Sequence, residues 1–149
     1  MTEKILRIGG ASGYWGDTAS APRQLVEKGE VHYLVFDYLA EVTMSILAKM
    51  RMRSAEAGYA TDFIALAMKP LLPAIAAKKI KVIANAGGVN LPACRRALEG
   101  IAAEAGLALK IGTVEGDDLM PQLDALRAMS ISAIGGDASL PERLLSVNA

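Results

Sequence analysis

One βα unit stands out at Lys81-Val-Ile-Ala-Asn-Ala-Gly-Gly-Val-Asn90, which runs on into Leu91-Pro-Ala-Cys-Arg-Arg96. A short apolar run between a lysine and a glycine-rich turn predicts a buried strand. Asn90 is placed to cap the next helix, whose first turn tolerates a proline because it needs no amide donor there. Glycines allow close backbone approach, and the carboxyl ends of parallel strands are where such sheets bind ligands. The candidate ligand-binding residues of this unit are Asn85, Gly87, Gly88 and Asn90.

The same alternation of patterns extends along the chain. Apolar runs predict four further strands, at 5–8, 31–37, 107–114 and 131–134. Helical spacing predicts helices between them, one of which begins near Tyr38 to Glu41 and runs to about Arg53. Five strands separated by helices predict one α/β domain over residues 1–149, with a mainly parallel sheet and helices on both faces. A doubly wound sheet is favoured, and a partial β/α barrel is the alternative. Residues 138–149 carry weak signals and are expected to form a weakly structured tail.

Composition excludes several classes of partner. The 149 residues are 52% hydrophobic, enough for a real core, and 16 basic residues balance 16 acidic ones, so we expect no nucleic-acid and no membrane partner. No signal peptide and no membrane-spanning run is visible. The lone Cys94 cannot form an internal disulfide and the lone His32 argues against a zinc cage, so we expect a cytoplasmic protein without a structural metal.

Acidic residues follow two of the predicted strands. Asp37 ends the second predicted strand and Glu41 follows it, and Asp117 with Asp118 come after the fourth. Each acid alone reads as a helix-start charge or a turn residue. Because all of them should converge on one edge of the sheet, a site for a small-molecule substrate becomes the better interpretation. The acids there could form a general acid/base pair or a hard-cation site. The predicted catalytic residues are Asp37, Glu41 and Asp117, and Asp118 is a predicted ligand-binding residue.

A glycine-rich loop follows the first predicted strand, with an aromatic pair at Tyr14 and Trp15 that is costly to expose without a partner. Its spacing, Gly10-x-x-Gly13-x-x-Gly16, departs from the dinucleotide-binding pattern G-x-G-x-x-G, so NAD(P) is disfavoured as a cofactor. Asn85-Ala-Gly87 matches short-chain dehydrogenases, but their Tyr-x-x-x-Lys pair is missing from the sequence. The candidate ligand-binding residues of this loop are Ser12, Gly13, Trp15, Gly16 and Asp17.

Longer runs carry a family resemblance. They cover residues 11–17, 33–45, 57–62, 85–90 and 116–118. Together they resemble the acyclic terpene utilisation protein A family, over about Ile5 to Leu119. The resemblance implies a part in bacterial breakdown of citronellol- and geraniol-like terpenes, by a pathway that runs through coenzyme A thioesters. Family members usually run to several hundred residues, so we expect either an N-terminal fragment or a shortened member.

These observations define three functional hypotheses. The first is an enzyme, or enzyme subunit, that acts on an acyl-CoA or carboxylate intermediate, with the coenzyme A thioester as substrate. The second is a non-catalytic binding or scaffold subunit, and the third is an NAD(P)-binding domain. A sheet that ends near Ile134 should leave an open edge and apolar helix faces, so we also expect a homo-oligomer or a stable complex.

Overall fold

The computed structural model of the protein describes residues 5–132 and 134–148. They fall into two compact units, Met1–Gly112 and Thr113–Ala149. The first unit contains a three-stranded parallel sheet in the order β1-β2-β3, which confirms the predicted α/β class. Its strands are β1 (Ile8–Ser12), β2 (Tyr33–Phe36) and β3 (Lys81–Ala84). Its helices are α1 (Ser20–Lys28), α2 (Glu41–Arg53), a π-helix (Phe63–Met68) that leads into α3 (Lys69–Ala77), and α4 (Leu91–Glu104).

The core lies on one face of this sheet. Strand register aligns Gly9 of β1 with Leu34 of β2 and Val82 of β3, and side chains alternate between faces along each strand. Leu34 is fully buried and belongs to the apolar cluster that α1, α3 and α4 complete. Burial of this face is what holds the three strands and the helices together.

The opposite face of the sheet is open to solvent. Ile8 of β1 is 67% exposed and Ile83 of β3 is 56% exposed, although parallel sheets usually have both faces covered. We predicted helices on both faces, and the described residues supply a helical layer on one. The prediction that the strand at Lys81–Ala84 is buried was wrong for the same reason, since three of its four residues are exposed. Consecutive order β1-β2-β3 is common to doubly wound sheets and β/α barrels, so both architectures stay open.

Strand β1 begins later than the sequence indicates. Its pattern predicted a strand over residues 5–8 and a loop from Gly9, whereas Gly9 to Ser12 are part of the strand. A Cβ at Gly9 would lie 3.0 Å from Val31 and 3.1 Å from Leu25. The glycine is therefore needed for close packing of strand against helix, and it does not mark a loop.

The fourth predicted strand does not form among the described residues. Residues 107–114 alternate as a strand would, since Leu107 and Leu109 pack against the core cluster while Ala108 and Lys110 are exposed. Their described backbone groups make no ladder with a neighbouring strand. Packing one side of the segment satisfies the alternation, whereas a strand also needs a paired edge.

The second unit contains a 3₁₀ turn, Met120–Gln122, and helix α5, Leu123–Ala128. Its other backbone pairing consists of two isolated antiparallel bridges, Asp118 with Asn148 and Ser132 with Ser139. The fifth predicted strand, 131–134, is thus reduced to one bridging residue, and its Ala133 lies outside the described residues. The predicted tail, 138–149, contributes Ser139 and Asn148 to these bridges. Its last residue, Ala149, lies outside the described residues.

Candidate functional site

Three predicted site residues meet at the carboxyl end of the sheet. Ser12 ends β1, and Asp37 and Asn85 directly follow β2 and β3. The Asn85 side-chain amide donates to the Asp37 carboxylate at 2.7 Å, and the Ser12 hydroxyl donates to the Asp37 backbone carbonyl at 3.3 Å. Asp37 and Asn85 are exposed and Ser12 is half-buried, so solutes can reach this polar cluster.

Tyr38 joins the polar cluster to the interior of the first unit. Its backbone amide donates to the Asn85 side-chain oxygen at 2.7 Å, while its side chain points inward and is 6% exposed. The ring stacks on Phe36 and meets Phe63 edge to face. Successive residues of an extended chain face opposite ways, which is why Asp37 is outside and Tyr38 inside.

Burial, followed by the negative charge of Asp62, raises the pKa of Tyr38, while the nearby Ser12 hydroxyl lowers it. The phenol is protonated at neutral pH already at its ordinary pKa of 10.0, and the raised pKa extends that state to more alkaline pH, so that the group can donate a hydrogen bond. Sequence reasoning passed over both Tyr38 and Asp62. The position of Tyr38 just after a strand and beside a predicted catalytic acid was an available signal. Asp62 ends the run 57–62 that carries the family resemblance, but no predicted strand end precedes it, so it had no comparable signal.

A cavity of about 140 Å³ opens beside Tyr38. Its wall combines the glycine loop, the start of α1 and the π-helix. The lining residues are Gly16, Asp17, Thr18, Ala19, Pro22, Tyr38, Asp62, Leu66 and Ala67. Gly16 and Asp17 were predicted to bind ligand, and both lie on this wall.

Asp17 also shapes the loop that it belongs to. Its carboxylate accepts a hydrogen bond from the Gly13 backbone amide at 2.9 Å, and Gly16 adopts a φ of +88°, which suits glycine. Trp15 is half-buried against the core cluster. Asp17 therefore closes the loop across Gly13, and Trp15 anchors it to the first unit.

The turn after β3 is held by its own contacts. Asn90 is buried, its side-chain oxygen accepts from the Ala93 amide at 3.3 Å, and its nitrogen donates to the carbonyls of Ala55 and Ala57 at 2.8 and 2.7 Å. The predicted helix cap is thereby confirmed. A Cβ at Gly88 would lie 2.5 Å from a Leu47 methyl group, and at Gly87 one would lie 3.0 Å from Leu91. Packing and capping within the first unit therefore engage Gly87, Gly88 and Asn90.

The remaining predicted residues lie elsewhere. Glu41 is exposed in the first turn of α2. Asp117 and Asp118 belong to the second unit, where the Asp117 carboxylate accepts from the Asn148 side chain at 2.9 Å and that of Asp118 accepts from the Met120 amide at 2.9 Å. Asp118 thus acts as a turn residue, and it caps neither the 3₁₀ turn, whose N-cap is Leu119, nor α5, whose N-cap is Gln122.

The groups gathered in the first unit are suited to proton transfer and hydrogen bonding. They comprise an accessible carboxylate, a primary amide, a hydroxyl and a protonated phenol. Within residues 5–132 and 134–148, no cluster of three His, Cys, Asp or Glu side chains is arranged to hold a metal ion. Burial raises the pKa of the Cys94 thiol to about 11, so this residue is a poor nucleophile.

The same described ranges contain no helix that is long and apolar enough to cross a membrane.

Comparison with known proteins supplies the family. The model of the acyclic terpene utilisation family protein AtuA matches residues 6–149, which confirms the resemblance read from the sequence and extends it beyond Leu119. No curated protein and no solved structure matches the chain. The chain therefore belongs to the AtuA family of acyclic terpene utilisation.

Proposed function

We propose that the chain is an enzyme, or an enzyme subunit, of acyclic terpene breakdown that acts on an acyl-CoA or carboxylate intermediate in the cytoplasm. One observation carries the proposal: Ser12, Asp37 and Asn85, from three adjacent parallel strands, are gathered at their carboxyl ends and joined by hydrogen bonds. This is the edge at which open α/β sheets bind ligands. Family membership supplies the pathway.

The proposed roles follow from the chemistry of each group. The Asp37 carboxylate is the general base or acid, and the Asn85 amide holds it in place through one of its two N–H groups. The second N–H group of Asn85 is available to a carbonyl oxygen of a thioester or carboxylate. Ser12 fixes the backbone of Asp37, and its position next to Tyr38 links the cluster to the cavity.

A nicotinamide cofactor fits this loop poorly, which supports the prediction against NAD(P). Asp17 places a carboxylate on the Gly13 amide, where a dinucleotide loop would offer that amide to a phosphate. Helix α1 begins only at Ser20, four residues after Gly16. An anionic pyrophosphate would meet a negative charge before it reached the helix N-terminus.

Deletion and complementation test the proposal. We expect a strain that lacks the gene to accumulate an acyl-CoA or carboxylate intermediate when fed citronellol or geranate, as measured by mass spectrometry. The wild-type gene and the Asp124→Asn control, an exposed acid of helix α5, should both clear the intermediate. Asp37→Asn should not clear it. Normal growth of the deletion strain without accumulation would refute a role in this breakdown.

A second candidate, the non-catalytic binding or scaffold subunit, is favoured by the open face of the sheet at Ile8 and Ile83. Exposed apolar surface on a parallel sheet favours association with a second copy or another subunit. In that case a deletion strain complemented with the Asp37→Asn variant would clear the intermediate as well as one complemented with the wild-type gene. A strain that carries Ile83→Lys would not clear it. Light scattering at micromolar concentration tests association directly, and a monodisperse monomer would contradict it.

A further inference from the structure

The cavity beside Tyr38 has the volume of a small organic ligand. At about 140 Å³ it is comparable to protein cavities that accept a six-carbon ring. It lies entirely within the first unit, between the glycine loop, the start of α1 and the π-helix. Its size therefore suits a fragment of about five or six carbons.

One side of the cavity is apolar and suits a branched hydrocarbon. Pro22 and Ala67 are buried, and Leu66 is 53% exposed at the rim. Leu66 and Ala67 both belong to the π-helix, a conformation that occurs often at functional sites. Helix α3 follows with Pro70, which has no amide to donate to the Leu66 carbonyl, so the helical ladder is interrupted at this wall.

The polar side of the cavity is acidic. It carries the carboxylates of Asp17 and Asp62, and none of the described lining residues is basic. Asp17 is already engaged with the Gly13 amide, whereas Asp62 acts on the Tyr38 phenol and favours its protonated form. A hydroxyl group fits this pair, because it can accept from the phenol and donate to the carboxylate.

We propose that this cavity binds a neutral, branched, hydroxyl-bearing fragment of about five carbons, held between Tyr38 and Asp62, and that it rejects the same fragment as a carboxylate. Identification of this fragment as the branched part of a terpenoid substrate rests on the proposed function. Binding of the fragment to the cavity does not depend on the proposed function. The acyl end of the substrate would then lie toward the Asp37 and Asn85 cluster, outside the cavity.

Two probes with one carbon skeleton test the proposal, namely 3-methylbutan-1-ol and 3-methylbutanoate. We expect ligand-detected NMR on the purified chain at pH 7.5 to show the alcohol binding with a Kd of about millimolar order, as suits so few heavy atoms. The carboxylate should bind at least roughly tenfold more weakly, because Asp62 repels it. Equal binding of the two probes would overturn the proposed selectivity.

Cavity variants locate the bound alcohol. Leu66→Trp should fill the cavity and reduce binding by about tenfold or more, whereas Leu6→Trp, with the same 53% exposure outside the cavity, should leave binding unchanged. Binding that survives Leu66→Trp places the alcohol elsewhere and overturns the proposal.

Asp62→Asn is a second and milder variant, because it keeps the shape of the side chain. It should narrow the difference between alcohol and carboxylate to within about threefold, and an unchanged difference would show that Asp62 does not select the ligand. All of these measurements are independent of the pathway. A deletion strain with normal terpene breakdown would refute the proposed function while leaving the binding result in place.

Discussion

The two units of this chain are stabilised by different means. In Met1–Gly112, three parallel strands are paired, with one register shift between Gly10 and Ser12, and a continuous apolar cluster is buried beneath them. In Thr113–Ala149, none of the described residues is buried, and short helices and isolated bridges make up the backbone structure. Both contain apolar residues, and Val114 is 91% exposed. Apolar content therefore stabilises a unit only where pairing and packing remove it from water.

The largest expected difference between the units concerns leucine side chains. Leu34→Ala, at a fully buried position of β2, should lower the free energy of unfolding by about 3 kcal/mol. Leu126→Ala, at a half-buried position of α5, should cost less than about 1 kcal/mol. Urea unfolding followed by Trp15 fluorescence measures the first unit, and circular dichroism measures the whole chain. Equal losses would show that the second unit has a core of its own.

Local chemistry explains which parts of the fold were predictable. Strand Lys81–Ala84, the Asn90 cap and helix Glu41–Arg53 depend on neighbours in sequence, and the structure confirms them. Strand pairing of residues 107–114 depends on a distant edge, and no local pattern records whether that edge is available. The predicted loop at Gly9 was wrong because the sequence does not distinguish a glycine that is needed for close packing in a strand from a glycine that belongs to a loop.

The candidate site divides in the same way. Ser12, Asp37 and Asn85 were predictable because strand ends in a parallel sheet must share one edge. The cavity was not, since Tyr38 and Asp62 are 24 positions apart in sequence and meet only through the packing of the π-helix on β2. Tertiary contacts of this kind leave no periodic signal in the sequence.

Replacement of a glycine by alanine should affect the two units differently. Gly88 and Gly135 both have positive φ, +54° and +81°, so alanine is strained at either position by about 1 kcal/mol. At Gly88 the new Cβ would also lie 2.5 Å from a Leu47 methyl and 2.7 Å from the Gly58 carbonyl, whereas nothing lies within 4 Å at Gly135. We expect a loss of about 3 kcal/mol for Gly88→Ala and of about 1 kcal/mol for Gly135→Ala in thermal unfolding. A smaller loss at Gly88 would mean that the loop moves to accept the methyl group.

Two side chains that accept from a nearby backbone amide, Asn90 in the first unit and Asp118 in the second, provide a third pair. Asn90→Ala removes a buried side chain that caps α4 and also donates to the carbonyls of Ala55 and Ala57, so it should cost about 2 kcal/mol. Asp118→Ala removes one exposed bond to the Met120 amide and should cost about 0.5 kcal/mol. Amide hydrogen exchange gives both values, because it resolves each helix. The ranking of the two losses would be contradicted if amide exchange in α5 of the Asp118→Ala variant accelerated as much as exchange in α4 of the Asn90→Ala variant.

The smallest expected effect is a pH dependence that reports on the first unit through Cys94. Burial raises the pKa of its thiol from the ordinary value of 9.0 to about 11. Between these two pH values the folded chain holds a proton that the unfolded chain has lost, so the free energy of unfolding falls as pH rises. The stabilising contribution of the protonated thiol is complete only below pH 9. We expect a loss of about 1 kcal/mol from this group by pH 11, since some solvent still reaches the thiol. Cys94→Ala removes the titrating group, and its unfolding free energy should fall less steeply than that of the wild type over the same range. Parallel curves for the two proteins would show that the thiol is not desolvated, and that α4 packs on the core less tightly than its buried residues indicate.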